Sequence, residues 1–191
     1  MLELAILGLL KERPMHGYQL KKRLADTLGG FWQVSYGSLY PALKRLQREE
    51  AVEMIFPREQ VGRRKNVYRI TEKGEALFAE LLERAGQDAS EDSGFSVRFA
   101  FFQYLKPETR VRLLERRRAF LETRWSHLKD SVQRLKEGID SYTLSLMNHE
   151  LSTTETDIRW LDELIQAEQR QVEPVRPRRS RAARLAEREH A

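Results

Sequence analysis

The spacing of apolar positions changes several times along the chain, and each change predicts an element. Leu2 to Lys11 is apolar nearly all round, the pattern of a short helix buried between other elements or across a subunit interface. Lys11 to Pro14 breaks it. Leu20, Leu24 and Leu28 then form a stripe in H-G-Y-Q-L-K-K-R-L-A-D-T-L, a second helix ended by Gly29-Gly30. From Ser35 to Glu50, Leu39, Leu43 and Leu46 recur at helical spacing, while Tyr36, Tyr40, Lys44 and Arg48 recur every fourth residue on another face. One face suits a core, the other an acidic partner. Ser35 or Ser38 would cap this third helix. Pro41 favours Ser38 and a start near Gly37, because its missing N–H costs nothing in a first turn. Phe31 and Trp32, just before, read as packing anchors.

After Ala51 the period becomes that of strands. Val52, Met54 and Phe56 alternate, the polar loop R-E-Q-V-G-R-R-K follows, and N-V-Y-R-I-T resumes a β-branched and aromatic pattern, giving a hairpin with Gly62 at its tip. Arg63, Arg64 and Lys65 sit at that loop, placed to reach a nucleic-acid backbone or minor groove, or to act as a charged edge against aggregation. Thr71 caps a fourth helix to about Arg84, with Leu77, Phe78 and Leu81 inward. Three helices, a basic hairpin and a further helix are the order of a winged helix-turn-helix, whose third helix enters the major groove.

The second half begins with the polar linker Gly86 to Gly94. In F-S-V-R-F-A-F-F-Q-Y-L, Phe95, Phe99 and Phe102 fit a helix, yet Phe95, Val97, Phe99 and Phe101 fit a strand, and periodicity does not decide. This cluster reads as ordinary core, or as the wall of a pocket for a small aromatic or apolar effector, with Phe95, Phe99, Phe102 and Tyr104 as lining and Tyr104 or Arg98 as polar groups. Pro107 starts a long helix. Val111, Arg118, Trp125 and Val132 share one heptad position, and Leu114, Leu121, Leu128 and Leu135 the other, Arg118 being the one break. Gly138 ends this helix. Leu144, Met147, Leu151, Thr154, Ile158, Leu161 and Ile165 make a second, complementary seam. The two predict an antiparallel, coiled-coil-like hairpin whose leftover apolar face joins a second copy, with Leu114, Leu121, Trp125, Leu128, Leu151, Ile158, Leu161 and Ile165 as dimerisation residues.

Charge sharpens this division. Residues 1–85 hold 15 Lys/Arg against 11 Asp/Glu, residues 86–173 hold 13 against 16, and residues 174–191 hold 6 against 2. The front and the tail face an anion, and the middle serves another purpose. The Pro- and Arg-rich tail reads as disordered or transiently helical, adding salt-sensitive DNA affinity or solubility. The chain has no cysteine, which excludes disulfides and thiolate chemistry and is compatible with a reducing cytoplasm. No apolar run is long enough to span a membrane, and no targeting signal is read.

H-G-Y-Q-L at 16–20, Y-G-S-L-Y-P-A-L-K-R-L at 36–46 and G-R-R-K-N-V-Y-R-I-T-E-K-G at 62–74 resemble the N-terminal domain of the PadR family of transcriptional regulators. The second half resembles the two-helix dimerisation domain of the subgroup with long C-terminal regions, including I-R-W-L-D-E-L-I near its end. The resemblance implies a winged-helix homodimer that represses transcription at a double-stranded DNA operator and is released by a small effector. It also implies that the aromatic segment is helical. Carried over by position, Tyr18, Tyr36, Ser38, Tyr40 and Lys44 become DNA-face residues and Arg63, Arg64 and Lys65 wing contacts, with Tyr18 and Tyr40 open to a packing role instead. Lys21, Lys22 and Arg23 lie off the stripe of helix two, as phosphate contacts or as a solvated face.

Four dispersed histidines, His16, His127, His149 and His190, have no ligand-like spacing, and His149 and Glu150 do not face each other on a helix. No catalytic residue, metal site or cofactor is expected. The reading is therefore a mainly α chain with a small β-hairpin wing. Residues 1–85 are a winged helix-turn-helix, 86–173 a helical dimerisation domain and 174–191 a basic tail. It regulates transcription by binding a palindromic operator as a homodimer. A protein-binding module of the same fold is the alternative, distinguished by binding that DNA does not titrate away.

Overall fold

Seven consecutive buried residues, Leu4 to Leu10, make helix α1 (Leu2–Glu12) the hub of the fold. A helix apolar on all sides lowers its free energy only when other elements enclose it. The elements that follow are β1 (Met15–His16), α2 (Gly17–Leu28), α3 (Tyr36–Arg48), β2 (Val52–Ile55), β3 (Val67–Ile70), α4 (Glu72–Glu83), α5 (Asp92–Phe99), a 3-10 turn (Phe102–Tyr104), α6 (Pro107–Leu135) and α7 (Ser141–Val172), and α2, α3, β3, α4 and α5 pack on α1. The computed structural model describes residues 1–28, 35–55, 66–84, 92–135 and 138–172. It is a mainly α protein, a winged helix-turn-helix followed by an antiparallel helical hairpin.

The sheet has the order β1-β3-β2, antiparallel throughout, with Met15 opposite Tyr68 and Met54 opposite Tyr68 on the other side. The two-residue strand β1 was not anticipated, since two residues show no period. It fixes the start of α2, where Gln19 Oε1 accepts the His16 N–H at 3.0 Å, the reach-back half of a capping box. The aromatic segment resolves as a helix over Asp92–Phe99, and the 3-10 turn that follows carries Phe102 inward.

Helix α3 begins earlier than Pro41 suggests. Ser35 is the cap, its Oγ accepting the Ser38 N–H at 3.2 Å, while Ser38 Oγ donates to the Ser35 carbonyl at 3.0 Å. Ser38 reinforces the cap instead of being it. Pro41 thus lies inside the helix, depriving the Gly37 carbonyl of its N–H, and both residues are exposed, so water can take that bond. The helix ends in a Schellman pair, Ala51 N–H to Leu46 C=O at 2.9 Å and Glu50 N–H to Gln47 C=O at 3.0 Å, with Glu50 at φ 59°.

One apolar core joins both halves. Leu39, Ala42, Leu43 and Leu46 of α3 meet α1, and Phe78 and Leu82 of α4 close it from the other side. Leu77 and Leu81, expected inward, are only half-buried. Gly8 admits the Phe101 ring, since a Cβ there would lie 2.4 Å from Cε1. Along the hairpin, Leu114, Leu121, Leu161 and Ile165 are buried against one another and this core, whereas Trp125, Leu128, Leu151 and Ile158 stay half-buried. Ion pairs cross from α6 to α7 at Arg110–Glu168 (2.9 Å), Arg118–Asp162 (2.8 Å) and Arg124–Glu150. No helix among the described residues is long and apolar enough to cross a membrane.

Candidate nucleic-acid interface

Packing Leu39, Leu43 and Leu46 inward leaves the opposite face of α3 in solvent, as a four-residue repeat requires. Tyr36 and Tyr40 are 41% and 42% exposed and stack with ring centroids 6.1 Å apart. Ser38 and Lys44 are exposed, as is Tyr18 at the start of α2. Partnering sorts the cations. Arg45 is paired with Glu3 at 3.1 Å and Arg23 with Glu12 at 2.8 Å. Lys22, Lys44 and Arg48 have no carboxylate partner among the described residues. Uncompensated cations beside exposed aromatic hydroxyls are the surface that attracts and registers a phosphate backbone.

Helix α2 braces that face at two points one turn apart. The Lys21 Nζ stands 3.6 Å from the Tyr36 ring centroid. At Gly17 a Cβ would come within 3.0 Å of both Cε1 and Oη of Tyr40. The glycine of H-G-Y is therefore a place where helix α2 lets an aromatic of α3 approach. Behind Tyr40 stands Tyr68 of β3, buried, with its hydroxyl held above the ordinary phenol range first by burial and then by Tyr40 nearby. Tyr68 was missed as part of this cluster; its strand pattern alone gave no sign of which face it joins. The wing cations Arg63, Arg64 and Lys65 lie outside the described residues.

A cavity of about 640 Å³ opens between the end of α2 and the helical half. Phe95 and Phe99 line it together with Leu28, Trp160, Arg117 and Asp157. Phe95 and Phe99 stack at 5.8 Å, and Trp160 meets Phe99 at 5.3 Å. Phe102 is not in the lining but buried behind Phe99, at 5.0 Å. Tyr104 stands elsewhere, edge-on to Phe78 at 5.5 Å and beside Lys11, because the 3-10 turn after α5 rotates it toward α4. Arg98 is buried and likewise absent from the lining. Trp160 and Arg117 were overlooked because α6 and α7 were read only for their seams. Arg117 is buried with its guanidinium 5.3 Å from Phe95 and 5.5 Å from Phe120.

Residues 6–80 match the transcriptional regulator PadR-like family, and residues 93–168 match the virulence activator alpha C-terminal family. The negative transcriptional regulator PadR of Bacillus subtilis is 30% identical over 83 residues, which are 44% of this chain and 46% of that protein. An uncharacterized protein of Lysinibacillus sphaericus is 28% identical over 82 residues, 43% of this chain and 75% of that one. Among solved structures, Bacillus subtilis PadR in complex with operator DNA is 20% identical, with 87% of this chain and 98% of that chain covered and a TM-score of 0.42.

Proposed function

We propose that this chain, whose residues 6–80 match the transcriptional regulator PadR-like family, is a regulator of that family that binds a palindromic operator as a homodimer, represses transcription there and is released by a small molecule. As a member of a family of regulators it is not an enzyme. The observation that carries the proposal is the face of α3, where Tyr36, Tyr40, Lys44 and Arg48 stand exposed and the two cations have no carboxylate partner among the described residues. A helix with such a face fits the major groove, and Tyr18, Ser38 and the wing cations Arg63, Arg64 and Lys65 are assigned to the flanking backbone.

In this reading residues 1–85 bind DNA, and residues 86–173 pair two copies so that protein symmetry sets operator symmetry. Since Leu114, Leu121, Leu161 and Ile165 are spent inside one chain, pairing uses the half-buried Trp125, Leu128, Leu151 and Ile158 with the exposed Tyr142 and Leu146. The cavity walled by Phe95, Phe99 and Trp160 is assigned to a small aromatic or apolar effector, and Leu28, the last residue of α2, is also in its lining. Fluorescence anisotropy on the DNA upstream of its own gene, against scrambled DNA across a salt series, tests the whole. Preferential binding with two protomers per site is expected, and equal weak binding to both, here and on fragments of the whole genome, overturns it.

A further inference from the structure

The cation on α2 nearest the DNA face does not point at solvent. Lys21 is half-buried, and its Nζ sits 3.6 Å from the centroid of Tyr36, inside the range where an ammonium is held by a ring face. Tyr36 in turn stacks on Tyr40 with an interplanar angle of 16°. Tyr40 lies close against Gly17, where an added Cβ would stand 3.0 Å from its Cε1 and Oη. Gly17 and Lys21 are four apart on α2, as Tyr36 and Tyr40 are on α3, so each pair presents adjacent positions on one face. The result is a clamp: one turn of α2 fixes two successive aromatic side chains of α3.

We propose that Lys21 is a positioning residue for sequence reading, acting through Tyr36 and Tyr40 and not by a phosphate contact of its own; this rests on the DNA-binding role assigned to α3. A phenol that must find a base edge or a phosphate oxygen loses rotamer freedom when it binds, and a side chain already held forfeits less. Neighbouring cations differ. Lys22 has no ring beneath it and no carboxylate partner among the described residues, and Arg23 is committed to Glu12. Three consecutive cations thus take three roles: Lys21 orients an aromatic pair, Lys22 faces solvent, and Arg23 ties α2 to α1.

Two measurements on the full chain test this. In the free protein, ring current from Tyr36 should move the Lys21 ε-methylene protons upfield, and Tyr36→Leu should abolish the displacement. Unshifted methylene protons in the wild type overturn the clamp whatever the protein binds. In the second, Lys21→Met and Lys21→Arg are compared with wild type on a duplex the wild type selects from a random library and on a scrambled duplex. Lys21→Met should lose about two- to fivefold of the preference between them, the size of an exposed cation–ring contact. Lys21→Arg should restore it, and the salt slope on scrambled DNA should stay at the wild-type value. Equal weakening on both duplexes, with the slope reduced by about 0.9, would make Lys21 a phosphate contact and refute the positioning role. Should the wild type select no duplex at all, the DNA-binding reading fails and takes the role of Lys21 with it, while the proton shift still reports whether the clamp exists.

Discussion

Nη1 of Arg118 donates to Oδ1 of Asp162 at 2.8 Å, so the one polar residue on the α6 seam is answered by a carboxylate on α7. That hydrogen bond is the main reason the guanidinium is held above its ordinary range. Both side chains are more than a third exposed, however, and water screens such a pair. Arg118→Leu should therefore change the unfolding free energy in a urea titration by less than about 1 kcal/mol. A loss above about 3 kcal/mol would mean that the pair behaves as a buried one.

Glu50 occupies the left-handed position of the Schellman motif that ends α3, where glycine is the usual residue. Its carboxylate pairs with Lys73 at 3.0 Å, but both side chains are largely exposed and the pair contributes little. Glu50→Gly should raise stability by roughly 0.5–1 kcal/mol, the left-handed strain removed less the added freedom of the unfolded chain. Thermal unfolding reads this directly, and a lowered midpoint would refute it.

How much of this was legible beforehand depends on the kind of residue. Leucine stripes at helical spacing placed α2, α3, α6 and α7, because burial of one face needs only the residue's own identity and period. The cap of α3 was misplaced because Pro41 carries a local preference, whereas the cap is decided by two hydroxyl groups acting together. The candidate DNA face was visible as a repeat of Tyr36, Tyr40, Lys44 and Arg48. What braces it was not, since the approach of Gly17 to Tyr40 and of Lys21 to Tyr36 depends on how two helices cross. The cavity wall was half visible for the same reason: Phe95 and Phe99 cluster in sequence, while Trp160 arrives from a helix about sixty residues later.

Gly74 and Gly138 should respond oppositely to alanine. A Cβ on Gly74 would lie 2.0 Å from the carbonyl oxygen of Ala51, which also accepts the Thr71 N–H at 3.1 Å. Backbone must move to admit it, so Gly74→Ala should cost about 3 kcal/mol, at the upper end of overpacking. A Cβ on Gly138 would meet nothing within 4 Å among the described residues, and Gly138→Ala should be neutral or stabilise by about 0.4–1 kcal/mol through the unfolded state. Paired urea titrations giving equal effects would contradict the packing at Gly74.

Asp140 caps α7, accepting the Tyr142 and Thr143 N–H groups at 2.9 and 3.0 Å and the Thr143 hydroxyl at 2.6 Å. The Thr143 hydrogen bonds lower the carboxyl below its usual value. A carboxylate depressed in the folded state stabilises above its unfolded value and loses that contribution as pH falls through the folded one. Asp140→Asn should thus leave less of an acid-side fall in melting temperature than the wild type shows, and Asp140→Ala should lower the melting temperature near neutral pH. An unchanged acid limb in Asp140→Asn would remove the charge from the capping account.

Arg45 and Lys44 are neighbours on α3 but differ in what holds them. Arg45 is bound to Glu3 at 3.1 Å, whereas Lys44 and Arg48 have no carboxylate among the described residues. A cation already compensated releases little counterion when DNA arrives, and a free one that meets phosphate releases about 0.9 of a counterion. Lys44→Ala and Arg48→Ala should each lower the slope of log affinity against log salt by roughly that amount, and Arg45→Ala should leave it unchanged. Anisotropy titrations between low and moderate salt on one duplex distinguish the three. If Arg45→Ala lowered the slope as much as the others, Glu3 would have to release Arg45 on binding, and the face of α3 that meets DNA would be wider than Tyr36, Tyr40, Lys44 and Arg48.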